Sequence, residues 1–222
     1  MAELNIATRD LQLEILSKML EKDPTGSPGP QILKAGTLRS GYFGTVAAHE
    51  LISGDALALA IGLSAGIAQN SDAGWLKWAK DNKIIFVAKK TLRNTISWDQ
   101  IDAVGAVFGT KTISIGEKTY KVRLLTGGDA DPASTPGGEW NQIMYGAHID
   151  EVPTWDQFSN CSLLVHGECG NGSYNWCQEA SASNTDARVT RGWTGISAFQ
   201  KTILSSIADK DRGWRPVLEL LS

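Results

Sequence analysis

Gly170-Asn-Gly-Ser-Tyr-Asn-Trp-Cys-Gln-Glu179, Arg188-Val-Thr-Arg-Gly192 and Gly213-Trp-Arg-Pro-Val217 are the segments whose reading decides the fold of this chain. Each sets a large ring or a guanidinium among small and β-forming residues. Trp176 and Trp214, with Trp98 and Trp140 upstream, are apolar groups that bury roughly 150 to 250 Å² apiece, so they can stabilise a domain poor in regular secondary structure. Arg188, Arg191 and Arg215 carry planar guanidinium groups that satisfy carboxylates bidentately, and Glu139 and Glu179 are their expected partners. These residues define a scaffold, not a ligand.

Upstream, Lys83-Ile-Ile-Phe-Val-Ala88 reads as a strand. Ser97 to Val107 reads as a helix capped by Ser97, with Ile101, Val104 and Phe108 facing inward. Thr112 to Leu125 alternates apolar and polar residues around Gly116-Glu117, which is a hairpin signal. Ser134 to Tyr145 predicts a second helix with Pro136 in its first turn. From Gln31 to Gln69 the text is Gly-rich, with a strand at Gly41 to Val46 and a short helix capped by Ser53 or Asp55.

Near the start, Leu4, Leu11, Ile15, Leu16, Met19 and Leu20 recur at three- and four-residue steps, so Leu4 to Lys22 reads as an amphipathic helix. Asp23-Pro-Thr-Gly-Ser-Pro-Gly-Pro30 follows, with three prolines and two glycines in eight residues, and reads as a linker or extended arm. A lone helix of this size is marginal in water, so its stripe needs a second surface. Copies of the chain could supply one as a trimeric coiled coil, a larger assembly could, or the chain's own domain could. The domain reading is therefore residues 1–30 for attachment, 31–73 as a Gly-rich connection, and 74–222 as the main domain.

Bulk properties narrow the function. The 222 residues carry 21 Lys+Arg against 24 Asp+Glu, a net charge of -3, which gives no global field for a nucleic-acid backbone. The apolar residues are dispersed, and Ala56 to Ala68 is too short and Gly-rich to span a membrane. Met1 to Asp10 has no apolar h-region, so no signal peptide is expected. Cys161, Cys169 and Cys177 are an odd set and read as reduced thiols. Their spacing, with His166 between, lacks the paired knuckles of a zinc site, so neither a metal nor another cofactor is expected. His49, His148 and His166 have no recognisable nucleophile beside them. Thr126 to Asp131 could hold a cation but matches no EF-hand loop.

The order of Ser97-Trp-Asp-Gln, Tyr120 to Leu125, Gly138-Glu-Trp-Asn-Gln-Ile-Met-Tyr145 and the three opening segments resembles the formylglycine-generating branch of C-type-lectin-like domains, over about two thirds of the chain. The resemblance implies an α+β fold, a C-type-lectin-like domain with little regular structure preceded by an N-terminal helix and extended arm. That branch activates oxygen at a copper-binding cysteine pair, one member following the Arg-Val-x-Arg-Gly strand. Here Gly192 is followed by Trp193 to Phe199 and no cysteine occurs after Cys177, so the activity is not carried over and a non-enzyme is expected. A looser resemblance, in Pro28 to Gly44, Phe86 to Thr91 and Gly213 to Glu219, is to phage-encoded structural and tail-associated proteins.

Together these imply a virion protein of a tailed phage, in the tail, fibre or baseplate, that presents a lectin-like domain to the host surface. The alternative is a capsid or neck decoration protein without receptor binding. Expected partners are other virion proteins through residues 1–30, further copies of the chain, and a host glycan or protein. The long loops at Asp150 to Gly172 and Glu179 to Arg188 would carry the binding residues Trp155, Phe158, Tyr174 and Trp193, since aromatics flanked by Asn, Ser and Asp suit such surfaces. The competing reading is that these rings fill a loop-rich core.

Overall fold

The structure is a computed structural model and describes Arg9, Leu11, Gln12 and residues 22–128, 138–148 and 155–221. In chain order the elements are β1 (Ala35–Thr37), β2 (Ser40–Val46), α1 (Gly54–Ile61), β3 (Ile67–Ala68), β4 (Trp75–Lys80), β5 (Lys83–Ala88), β6 (Arg93–Asn94), α2 (Trp98–Ala103), β7 (Phe108–Ile115), β8 (Lys118–Arg123), α3 (Glu139–Ile143), α4 (Asn160–Leu163), β9 (Tyr174–Ser181), β10 (Asn184–Gly192), β11 (Phe199–Leu204), β12 (Arg212–Trp214) and β13 (Val217–Leu220). Seven strands form one sheet in the order β1-β2-β4-β5-β13-β8-β7, and six form another in the order β11-β10-β9-β12-β6-β3. The first sheet is antiparallel throughout; in the second only the β9–β12 pair is parallel.

This corrects the expected fold class. The described residues are mostly β, in two sheets with short helices, and not an α+β lectin-like domain with little regular structure. The Gly-rich stretch is no mere connection either: β2 pairs with β4 from Ser40↔Lys80 to Val46↔Trp75, so one sheet runs across the expected boundary near residue 73. Most of the helix expected over Leu4 to Lys22 lies outside the described residues, as do Ser134 and Pro136. At that helix's far end Lys22 instead forms an antiparallel bridge with Ile32.

Period-two alternation gives the first sheet two apolar faces. On β5, Ile84, Phe86 and Ala88 enter the principal core, while Ile85 and Val87 point to the opposite side. The principal core also takes Trp75, Tyr120, Val122 and Leu218 from the first sheet, Trp176 and Trp214 from the second, Leu57 and Ile61 from α1, and Trp98 and Ile101 from α2. The other face is covered by Trp140, Ile143 and Met144 of the α3 region and by Leu163, Val165 and Ile196. Burial of a side chain such as Phe86 or Leu218 contributes roughly 1.5–3 kcal/mol.

The helices start where their caps are. Ser53 Oγ accepts from Ala56 N at 3.3 Å, and α1 ends on Gly62 at φ 78°. Ser97 and Gln100 form a reciprocal capping box at the start of α2. That helix ends six residues in, because Gly105 at φ 74° turns the chain into β7. Phe108 consequently begins a strand and is 57% exposed, correcting the expectation that it faces inward.

The Asp23–Pro30 arm is wound onto the first sheet. Asp23 accepts from Thr25 N and Oγ1 at 2.7 and 2.6 Å and from Ser27 N and Oγ at 3.2 and 2.6 Å. Its Oδ2 lies 2.8 Å from Lys77 Nζ of β4, with both side chains 0% exposed. Lys77 occupies a core-facing position among Trp75 and Ala79, over the rings of Phe43 and Phe86.

Candidate functional site

The scaffold residues are buried, except Arg188, which with Glu179 is half-buried, and they pair differently from expectation. Trp98, Trp140 and Trp176 donate their indole N–H to the carbonyls of Cys177, Ile196 and Ile96 at 2.8–2.9 Å. Glu139 is held by Arg123, at 2.6 and 2.8 Å, and not by Arg188, Arg191 or Arg215. Arg123 also donates to Glu219 at 3.0 Å, and Lys83 closes the other Glu219 oxygen at 2.7 Å. Glu179 accepts from the backbone N–H of Gly127 and Gly128. Arg191 donates to the Gly127 carbonyl and lies over Phe199; Arg188 lies over Trp98, 4.1 Å from the ring centre. Arg215 is spent on the carbonyls of Ala88, Lys89, Leu163 and Leu164 and on Asn175 Oδ1.

A recess of about 370 Å³ lies over the Arg123 cluster, with Lys121, Gln178 and Phe108 on its walls. Each carboxylate oxygen of its two glutamates already accepts at least one hydrogen bond, from Arg123, Lys83 or the backbone N–H of Thr126. Sequence reasoning missed Arg123, although its place two residues after Lys121 on a strand whose alternate side chains, Tyr120 and Val122, point inward is a legible signal.

The four aromatic residues expected to bind divide into two groups. Trp155 stacks on Tyr42 (6.5 Å, 13°) and tilts against Trp78 at 5.0 Å, while the Tyr42 hydroxyl donates to Asp156 at 2.7 Å. Phe158 lies under Lys89 Nζ at 4.2 Å. Both rings are half-buried and pack against the core on the outer face of the first sheet, with Ile143 and Val165.

Tyr174 and Trp193 stand elsewhere, at the end of the β9–β10 pair. Their rings stack at 5.1 Å and 11°, and the Arg212 guanidinium lies 4.8 Å over Tyr174. All three are half-buried. Burial raises the Tyr174 phenol above its ordinary value despite the opposing charge of Arg212, so it stays a donor at neutral pH. Trp193 adopts φ 82°, a left-handed conformation that a bulky side chain rarely takes, and such an outlier persists only where its surroundings over-determine it. Here Gly167 N donates to Trp193 O at 2.7 Å, His166 bridges Thr194, and a Cβ at Gly167 would come 2.7 Å from Trp193 Cζ3.

The 3₁₀ turn at Gly167–Cys169 that backs Trp193 is tied to α4 by a Cys161–Cys169 disulfide, with Cα atoms 4.9 Å apart. This corrects the expectation of three reduced thiols; only Cys177 is free, and it is buried. Burial pushes the Cys177 thiol well up, away from nucleophilic chemistry. Replacing Cys161 and Cys169 together by Ala is expected to lower stability by about 2–3 kcal/mol through the larger unfolded ensemble. Urea denaturation checks it, and coincident midpoints would exclude it.

Among the described residues no group of three or more His, Cys, Asp or Glu could hold a metal ion, and no helix is long and apolar enough to cross a membrane. His166 is occupied in capping, its Nδ1 accepting from Glu168 N. Asp129 and Asp131 of the loop read as a cation site lie outside the described residues. Comparison of the chain with protein families, with curated proteins and with solved structures finds no match in any of the three.

Proposed function

We propose that this chain is a non-enzymatic structural and adhesive component of a tailed-phage virion, which binds a host-surface glycan or protein through Tyr174, Trp193 and Arg212. The observation that carries the binding part is the half-exposed stack of these three groups, with Trp193 held in a left-handed backbone by a disulfide-tied turn. Rigid aromatic faces with N–H and O–H groups at their edges suit sugar rings and peptide planes alike, and cost little side-chain entropy on binding. The non-enzymatic part is supported by the Arg123 cluster, whose carboxylate oxygens are all hydrogen-bonded, and by the buried Cys177 thiol. The virion part is supported by the resemblance of Pro28 to Gly44, Phe86 to Thr91 and Gly213 to Glu219 to phage structural proteins, with assembly through residues 1–30.

Purified protein is expected to adsorb saturably to host cells, and Tyr174→Ala with Trp193→Ala to weaken that adsorption at least roughly tenfold, the loss of an interface anchor. Circular dichroism controls for folding. Saturable adsorption that the double variant leaves unchanged would remove this site from the proposal. A folded wild type that never saturates would favour decoration without a receptor.

A further inference from the structure

We propose that Lys77 and Asp23 condense into an intramolecular isopeptide bond, Nζ to Cγ, which ties the N-terminal arm covalently to β4. The geometry starts with reach: Lys77 Nζ and Asp23 Oδ2 are 2.8 Å apart and wholly removed from solvent. Holding two reacting groups in one place removes most of the entropic barrier to their condensation. Burial also disfavours the charged pair, because an ammonium and a carboxylate lose their hydration together. Against this burial, the Lys77, Ser27 and Thr25 hydrogen bonds hold Asp23 below its ordinary pKa, while burial lowers that of Lys77. The reactive form, a neutral amine against a neutral acid beside Phe43 and Phe86, is reached when one proton passes from Nζ to Oδ2.

The remaining contacts orient the attack. Nζ donates to the carbonyls of Pro30 at 2.8 Å and Ser27 at 3.2 Å as well as to Asp23. Once the third proton has moved, the first two bonds hold the amine with its lone pair toward the carboxyl. Thr25 N–H and Oγ1–H both donate to Oδ1, so the oxygen that gains negative charge as the Nζ–Cγ bond forms is already met by two donors. Collapse of the adduct breaks Cγ–Oδ2. That oxygen, carrying the first proton, takes a second from nitrogen and leaves as water; the nitrogen keeps one hydrogen, as an amide N–H. No oxidant, metal or co-reactant is consumed.

The Tyr120 hydroxyl is buried without a hydrogen-bond partner among the described residues. Burial, and after it the charge on Asp23, pushes its pKa up to about 12, so it remains a proton donor in this part of the core. A recess of about 520 Å³ lined by Gly26, Pro28, Gly29 and Tyr120 lies beside the arm and offers the departing water a way out.

The mass of the denatured, disulfide-reduced full chain decides the matter, because it needs no folded variant for its reading. The expected result is a chain lighter than its sequence by one water, with a branched tryptic peptide joining the segments around Asp23 and Lys77. Asp23→Ala and Lys77→Arg should each restore the sequence mass. Wild type at its full sequence mass, with Lys77 recovered in a linear peptide, overturns the proposal. A missing water that survives in Lys77→Arg overturns it too, since the bond would then lie elsewhere.

Discussion

Arg123→Met is expected to cost about 3–5 kcal/mol of unfolding free energy at neutral pH, since removing one partner of a buried ion pair leaves a desolvated charge uncompensated. Glu139 suffers most: it loses both of its short bonds to Arg123, while Glu219 keeps Lys83. Adding Glu139→Gln should therefore recover about 2 kcal/mol, because the leftover charge is gone. The pH dependence has a definite sign. Burial alone would raise the Glu219 pKa, but Lys83 and Arg123 overcome it and hold the value below the ordinary 4.5. A carboxylate depressed in the folded state stabilises fully above its unfolded value, and that contribution disappears as pH falls through the folded one. The gap between wild type and Arg123→Met should hence narrow below about pH 4.5. Urea titrations at pH 7 and pH 3.5 check both parts. A gap that widens in acid would contradict the ion-pair account.

Arg215→Met should be comparably severe, about 3–5 kcal/mol, for a different reason. The Arg215 side chain is 1% exposed and its donors go to neutral acceptors, divided between the end of β5, Asn175 and the end of α4. Carbonyls after a helix's last turn have no partner within the helix, and the Leu163 and Leu164 carbonyls take theirs from Arg215. Burial draws the Arg215 pKa down to about 9, still above neutral, so every donor is present at pH 7. Arg215→Lys offers at most three donors in place of the planar fork and should lose about 2 kcal/mol. Amide exchange ought to quicken first in residues 159–169, which lose their clamp. Wild-type stability in Arg215→Met would show that these acceptors find other donors without cost.

What the sequence disclosed was local. Lys83 to Ala88 is a strand, Ser97 caps a helix, Ser53 caps another and Gly116 turns a hairpin, each as its own few residues dictate. The fold class was not legible, because strands such as Asn184–Gly192 bury Thr190 and Arg191 and so lose the clean apolar alternation that marks a sheet. Arg191 is buried, as expected, yet it donates to the Gly127 backbone carbonyl, a contact that no motif encodes. Of the four candidate binding aromatics, Trp155 and Phe158 resemble Tyr174 and Trp193 in sequence context and in burial; what separates them is that the first pair packs against the outer core cluster and the second stacks on itself. The disulfide was hidden by an odd cysteine count, which says nothing about which two come together.

The position of β13 sets a timetable for the whole molecule. Among the described residues this strand follows the other strands in sequence, yet it sits between β5 and β8 near the middle of the seven-stranded sheet. On a ribosome, β1, β2, β4 and β5 can pair as they emerge, and so can the β7–β8 hairpin, but the two groups have no shared neighbour until residues 217–220 are free of the exit tunnel. Until then two strand edges stay open to other nascent chains. Closure of the seven-stranded sheet thus waits on β13, and the exposed edges of β5 and β8 are where misassembly would start before it.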